Sequence, residues 1–175
     1  MPTIDCVDDI EIAAPASLVY QVIADYPNWT RWFPAYHCEI LEGDGVEVGA
    51  RIHHQYGRKP MVLSDFVRVI DKMVPGERLE ESYVEGDLIG TGIWEFTEEG
   101  SMTRAAYHCA VRSNRFMTHL AFLIAGQRGH SGVYQNLLQS LKAHCEALAQ
   151  GRPGADADSA DAGFDGGDGG GDDGG

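Results

Sequence analysis

Six residues carry the side-chain chemistry that a buried site would need: His54, Tyr56, Glu81, Tyr83, Tyr107 and Gln127. An imidazole, a carboxylate and a phenol held close together form an acid/base set suited to an enolisable carbonyl, given tuned proton affinities. On that reading His54, Glu81 and Tyr107 are the candidate catalytic residues. The same residues also read as plain lining. A tyrosine in a sheet commonly buries its ring and sends its hydroxyl to water or a carbonyl, His54 reads equally as a satisfied strand histidine, and Glu81 as a strand-end residue in solvent.

Other chemistries lack their patterns. The seven histidines include no His-x-x-x-His pair, and His53 and His54 point to opposite faces of a strand, so no metal site is expected. There is no Gly-x-Ser-x-Gly, no phosphate-binding loop and no Gly-x-Gly-x-x-Gly after a strand, so no nucleotide or other cofactor is expected. Cys6, Cys38, Cys109 and Cys145 are scattered without a Cys-x-x-Cys, which reads as buried free thiols in a reducing compartment.

Charge narrows the partners. The chain has 175 residues and a formal net charge of −14, from 27 acidic against 13 basic residues. Such a surface repels phosphate, and no basic stripe offsets it, so nucleic acid is not an expected partner. The longest fully apolar run, Leu120–Ala125, is far short of the roughly 20 residues of a membrane span, and the first residues lack a signal-peptide pattern; a cytoplasmic location is expected. Residues 151–175 contain ten Gly and seven Asp. They read as an acidic, disordered, solvated tail, which leaves residues 1–150 as the one folding domain.

The elements that must position the candidate residues follow from hydrophobic period and turn signals. Alternation over 3–13 predicts a strand; Pro15 opens a helix with Leu18, Val19, Val22 and Ile23 on one face, and Pro27 ends it. A short helical turn over 28–33 follows. Six strands are then predicted over 36–41, 51–56, 61–73, 79–84, 88–97 and 103–112, separated by Gly- and Asp-rich turns, as in one antiparallel meander. Apolar residues at helical spacing from Phe116 to Leu148 predict a long final helix, with Gly126, Gly129 and Gly132 marking a kink, a break or a close backbone approach.

Parity then sorts the strands. Trp94 and Phe96 share a face opposite Glu95. Arg104 and Arg112 mark the outside of their strand and leave Ala105, Tyr107, Cys109 and Val111 inside. Leu79 takes Glu81 and Tyr83 inward, and Ile52 and Tyr56 take His54 inward. Residues 61–73 give no parity, because Val67 and Val69 oppose Phe66 and Ile70. Trp29 and Trp32 read as packing of the helical turn onto the sheet, with Phe33 reaching a cavity mouth. The candidate lining set is completed by Leu120, Leu123 and Ile124 of the final helix.

The order and several local patterns resemble a known superfamily. The segment IEIAAPASLVYQVIADYPNWTRWFP over Ile10–Pro34, the Val48-Gly49-Ala50-Arg51 run, PGERL over Pro75–Leu79, GTGIWEFTEEGSMTR over Gly90–Arg104 and the long last helix are similar to START/Bet v 1-like (SRPBCC) proteins, and among them to the polyketide cyclase/dehydrase and coenzyme Q-binding-like group. The resemblance implies an α+β helix-grip fold. A seven-stranded curved antiparallel sheet would wrap a long C-terminal helix, with two short helices after the first strand. It also implies an apolar cavity, and three functions fit. The first is binding, transport or sensing of a small hydrophobic molecule such as a lipid, isoprenoid or polyketide-like compound. The second is a cyclase, aromatase or dehydratase using acid/base residues. The third is an interaction module that uses Met117–Ile124 to pair with another protein or with itself as a homodimer.

Overall fold

The computed structural model describes residues 3–58, 60–114 and 116–153, and for 3, 58, 61 and 116–131 the backbone alone. The chain folds in the order β1 (Thr3–Ile12), α1 (Ala16–Ala24), a 3-10 turn (Tyr26–Asn28), α2 (Trp29–Trp32), β2 (Tyr36–Glu42), β3 (Arg51–Arg58), β4 (Met61–Val74), β5 (Arg78–Gly86), β6 (Leu88–Glu99), β7 (Met102–Ser113) and α3 (Phe116–Ala149). The strands make one antiparallel sheet in the order β1-β7-β6-β5-β4-β3-β2. Consecutive strands from β2 to β7 are hairpin neighbours, as short turns dictate, and β1 closes against β7 because α1 and α2 carry the chain across to the far edge. This is the curved α+β helix-grip arrangement expected from the sequence.

Pro15 stands just before α1 rather than in its first turn. Its carbonyl accepts from the Leu18 and Val19 amides at 3.0 and 3.1 Å. The otherwise orphaned Ala16 N–H donates to Glu98 Oε1 of β6 at 2.8 Å, so a strand carboxylate caps the helix and pins it to the sheet. The buried face of α1 is Val19, Tyr20, Val22 and Ile23, close to the face its spacing predicts, with Leu18 only half-buried. Trp29 and Trp32 are buried, and Trp29 Nε1 donates to the Ile23 carbonyl at 2.9 Å, fixing the turn between the helices.

The final helix is one uninterrupted element, so of the kink, break or close backbone approach expected at its glycines, the break does not occur. A Cβ built on Gly132 meets nothing within 4 Å, which also removes close backbone approach as the reason for that glycine. Leu137, Leu138, Leu141 and Cys145 bury the second half of α3 against the core. Its end is tied to β1: Glu146 Oε1 accepts from the Ala13 amide at 2.9 Å, and Lys142 Nζ donates to the Glu11 carbonyl at 2.5 Å. No helix of the described residues is long and apolar enough to cross a membrane.

Candidate functional site

The inner face of the sheet holds a buried ion pair. Arg68 of β4 and Glu81 of β5 are each 1% exposed, and Arg68 Nη1 donates to Glu81 Oε2 at 3.0 Å. The strands set this up through their register. Arg68 pairs with Tyr83 and Ile70 with Glu81, with a register shift between Val67 and Arg68. The other guanidinium nitrogen, Nη2, donates to the hydroxyls of Tyr83 at 2.5 Å and Tyr134 at 3.3 Å. Glu81 Oε1 accepts from the Tyr26 hydroxyl at 2.9 Å. Both carboxylate oxygens therefore act as acceptors, which suits the ionised form. A buried charge without such partners would cost several kcal/mol, on the order of what folding as a whole yields.

Around the pair lies a tyrosine cluster. Tyr83 and Tyr107 hydroxyls are 2.7 Å apart, and Tyr83 and Tyr134 hydroxyls 3.2 Å apart. Arg68 also lies over the rings of Tyr83 and Phe66, 4.4 and 5.2 Å from their centroids, where the ring quadrupole favours a cation. Gly92 makes room for this arrangement. A Cβ there would come within 2.2 Å of the Tyr107 hydroxyl. Gly90, at φ +150°, differs: its Cβ would strike the Ala110 carbonyl at 2.1 Å, so it permits close approach of β7. The two glycines thus have separate jobs, beyond the strand curvature that a Gly-Thr-Gly suggests.

His54 of β3 is fully buried among rings. It stacks on Phe66 at 5.5 Å and meets the edges of Tyr26 and Tyr36 at 5.7 and 5.8 Å. Its Nδ1 is 3.4 Å from Cys38 Sγ. Burial, and then the Arg68 charge, hold its pKa well below the ordinary histidine value, so the ring is neutral at pH 7. Burial likewise raises the phenols of Tyr26, Tyr36, Tyr83 and Tyr107 well above 10, against the pull of Arg68, and takes Tyr134 up to about 12. The same burial pushes the Cys38 thiol up and that of Cys109 to about 12. For Arg68, burial works against the cation, but the Tyr107, Tyr83 and Glu81 oxygens more than offset it.

Four buried polar atoms in this region have no hydrogen-bond partner among the described residues: Arg68 Nε, His54 Nε2, Trp94 Nε1 and Tyr36 Oη. Ring contacts make the region continuous, from Tyr36 through His54 and Phe66 to Tyr83, and from Tyr107 to Trp94. Buried orphans of this kind are uncommon, and each calls for an explanation. Among the described residues no group of three His, Cys, Asp or Glu side chains is placed to hold a metal ion.

The structure gathers Glu81, Tyr83, Tyr107 and Cys109 into one hydrogen-bonded set, with the Cys109 thiol 3.8 Å from Tyr83 Oη. His54 joins it through ring contacts, Ile52 and Phe96 are buried in the same core, and Trp94 packs on Tyr107 at 4.6 Å. Phe33 and half-buried Tyr56 stack on each other at 6.2 Å, beside Tyr36. Leu120, Leu123, Ile124 and Gln127 lie outside the described side chains. Arg68, Tyr26 and Tyr134 carry much of the site's polar chemistry and are not among the residues that sequence patterning singles out. A signal existed for Arg68, which shares parity with Phe66 and Ile70, but an arginine ordinarily marks the solvent face. Two grooves of about 420 Å³ each are lined by described residues, one by Leu18, Trp32 and His144 among others, the other by Tyr20, Ile40 and Met73 among others. Neither includes the Arg68 cluster.

Comparison with solved structures finds the same fold repeatedly. The Zhui aromatase/cyclase from Streptomyces sp. R1128 superposes with a TM-score of 0.68 at 17% identity, over 86% of this chain and 99% of that one. A START superfamily protein from Mycobacterium smegmatis gives 0.66 at 15%, over 82% and 98%. TTHA0849 from Thermus thermophilus gives 0.65 at 17%, over 85% and 99%. At these identities the likeness establishes the fold alone. No curated protein matches the chain. The family model described as polyketide cyclase/dehydrase and lipid transport matches residues 3–146, which takes in the whole sheet and nearly all of α3. The chain therefore belongs to the polyketide cyclase/dehydrase and lipid transport family.

Proposed function

We propose that this chain binds a small hydrophobic molecule, of the lipid, isoprenoid or polyketide-like kind, between the inner face of the sheet and α3. The observation that carries this reading is the set of orphaned polar atoms on Arg68, His54, Trp94 and Tyr36 within a continuous aromatic interior. An apolar ligand with a few oxygen atoms would bury its surface on the rings and satisfy those groups, which is how small-molecule sites are commonly built. The family, whose description joins cyclases with lipid transport, is consistent with that chemistry. Native mass spectrometry of the full chain as purified, with solvent extraction of any adduct, tests the reading. A bound organic molecule released on denaturation is expected. Only the bare protein mass, together with no uptake of the neutral apolar dye Nile red, would overturn it.

A cyclase-, aromatase- or dehydratase-type reaction is the second reading. What favours it is that burial keeps the Tyr83 and Tyr107 phenols protonated beside Arg68, so they can donate to an oxygen that gains charge as a carbonyl enolises. Glu81 fits the general-base role poorly, since Arg68 and Tyr26 occupy both its oxygens. On this reading Tyr107→Phe abolishes turnover of a poly-β-ketone probe while Nile red binding persists; unchanged turnover excludes Tyr107 from the chemistry. The interaction-module reading rests on Met117–Ile124, whose side chains lie outside the described residues.

A further inference from the structure

Charge counting inside the sheet restricts the ligand further. Among the described residues, Arg68 is the one cation and Glu81 the one anion bonded within the cluster; the other carboxylate buried on this face, Asp8 of β1, accepts from Gln135 of α3 at 3.1 Å. His54 is neutral, and the tyrosines and thiols keep their protons. The pair is therefore already balanced. Yet Arg68 Nε keeps an unused N–H, buried with the rest of a side chain that is 1% exposed. That leaves a donor without a surplus of charge. A ligand carbonyl can accept from it at no electrostatic cost. A ligand carboxylate would bring a second anion into a low-dielectric interior beside Glu81, where like charges and desolvation both oppose it.

We propose that Glu81 sets the charge of the ligand: by neutralising Arg68 it makes the interior take an apolar molecule bearing a neutral acceptor oxygen (a ketone, ester or quinone-type carbonyl) and reject the corresponding carboxylate. The proposal rests on the binding reading above and adds a rule to it. The role is a specificity role, distinct from proton transfer. Glu81→Gln keeps the side chain's shape and an acceptor for Arg68, but leaves the guanidinium charge unbalanced, so the preference should invert.

The test uses full-length wild type and E81Q with Nile red bound, displaced at pH 7.5 by decan-2-one or by decanoate, two probes of matched length. In wild type the ketone is expected to displace the dye at a concentration at least about 10-fold lower, a difference of about 1.4 kcal/mol. In E81Q decanoate is expected to become the better competitor. Should E81Q not fold, wild type alone decides. Decanoate entering only as its neutral acid gains about 10-fold in apparent affinity per unit of falling pH between 7.5 and 6, because its protonated fraction does, while decan-2-one stays flat. Decanoate that matches or beats the ketone in wild type, or that binds without pH dependence, overturns the charge rule and leaves the binding reading standing. Absence of any Nile red uptake, together with only the bare protein mass in native mass spectrometry, sinks both.

Discussion

Arg68 Nη1 sits 3.0 Å from Glu81 Oε2, with both side chains all but sealed from solvent. The two residues are 13 apart in sequence but lie on adjacent strands, brought together by the β4–β5 register. A pair this buried stabilises less by its own attraction than by what its loss would expose. Removing one partner leaves an uncompensated charge and costs about 3–5 kcal/mol, while replacing both by apolar residues of similar size is often neutral or better. Arg68→Met and Glu81→Leu are therefore each expected to lower unfolding stability by about that amount, with the double variant recovering most of it. Urea unfolding of all four proteins measures the cycle. Additive losses would show that the two side chains act independently.

His54 gives the protein a pH-sensitive core. Its folded pKa lies well below the ordinary value because burial and Arg68 oppose the imidazolium. Above pH about 6.5 the ring is neutral in both folded and unfolded chains and contributes no slope. Below that pH the unfolded chain takes up a proton that the folded chain refuses, so stability falls as pH falls, by up to about 1.4 kcal/mol per unit for this one group. Thermal unfolding between pH 7.5 and 5.5 should show that decline, and His54→Gln should flatten it. An equal slope in the variant would assign the effect to other histidines.

Gly92 is an expected hot spot for a reason of space rather than backbone angle. The Tyr107 ring is held between Trp94 at 4.6 Å and Tyr134 at 4.7 Å, so its hydroxyl cannot retreat from an added methyl. Gly92→Ala should cost about 1–3 kcal/mol, as overpacking commonly does. Pairing it with Tyr107→Phe should recover part of that loss, since the clashing oxygen is gone. If Gly92→Ala is neutral on its own, the hydroxyl has somewhere else to go.

The four cysteines form no disulfide, and their burial sorts them. Cys38, Cys109 and Cys145 are buried, with the last two thiols pushed up to about 12, whereas Cys6 is half-exposed. Because thiolate is the reactive form, a thiol-specific disulfide reagent at pH 8 should label one cysteine quickly, and the others only as the protein unfolds. Peptide mapping identifies the labelled residue; rapid labelling of Cys109 would mean that the interior opens readily.

Much of the fold was legible because its strands are one-sided. Where one face is apolar and the other charged, period two leaves no choice, and Glu81, Tyr83, Trp94, Phe96, Tyr107 and Cys109 all fall on the inner face as their parity requires. The rule fails in β4 for an identifiable reason. Val67 is buried along with Phe66 and Ile70, and the ladder shifts register after Val67 and after Ile70, so no single alternation spans the strand. Arg68 was hidden by that ambiguity. Tyr134 was visible only as one apolar point on a helical face.

By itself, then, the sequence determined the element order, the sheet and which residues of the regular strands face inward, because these depend on local period and turn chemistry. Only the tertiary structure decided that Glu81 is paired rather than free, that an arginine stands at the centre of the aromatic interior, and that Gly92 is a socket for a hydroxyl. Those facts depend on β4, β5, β6 and α3 meeting in space. The charge state of a buried group is set by its neighbours across that space rather than by its neighbours along the chain.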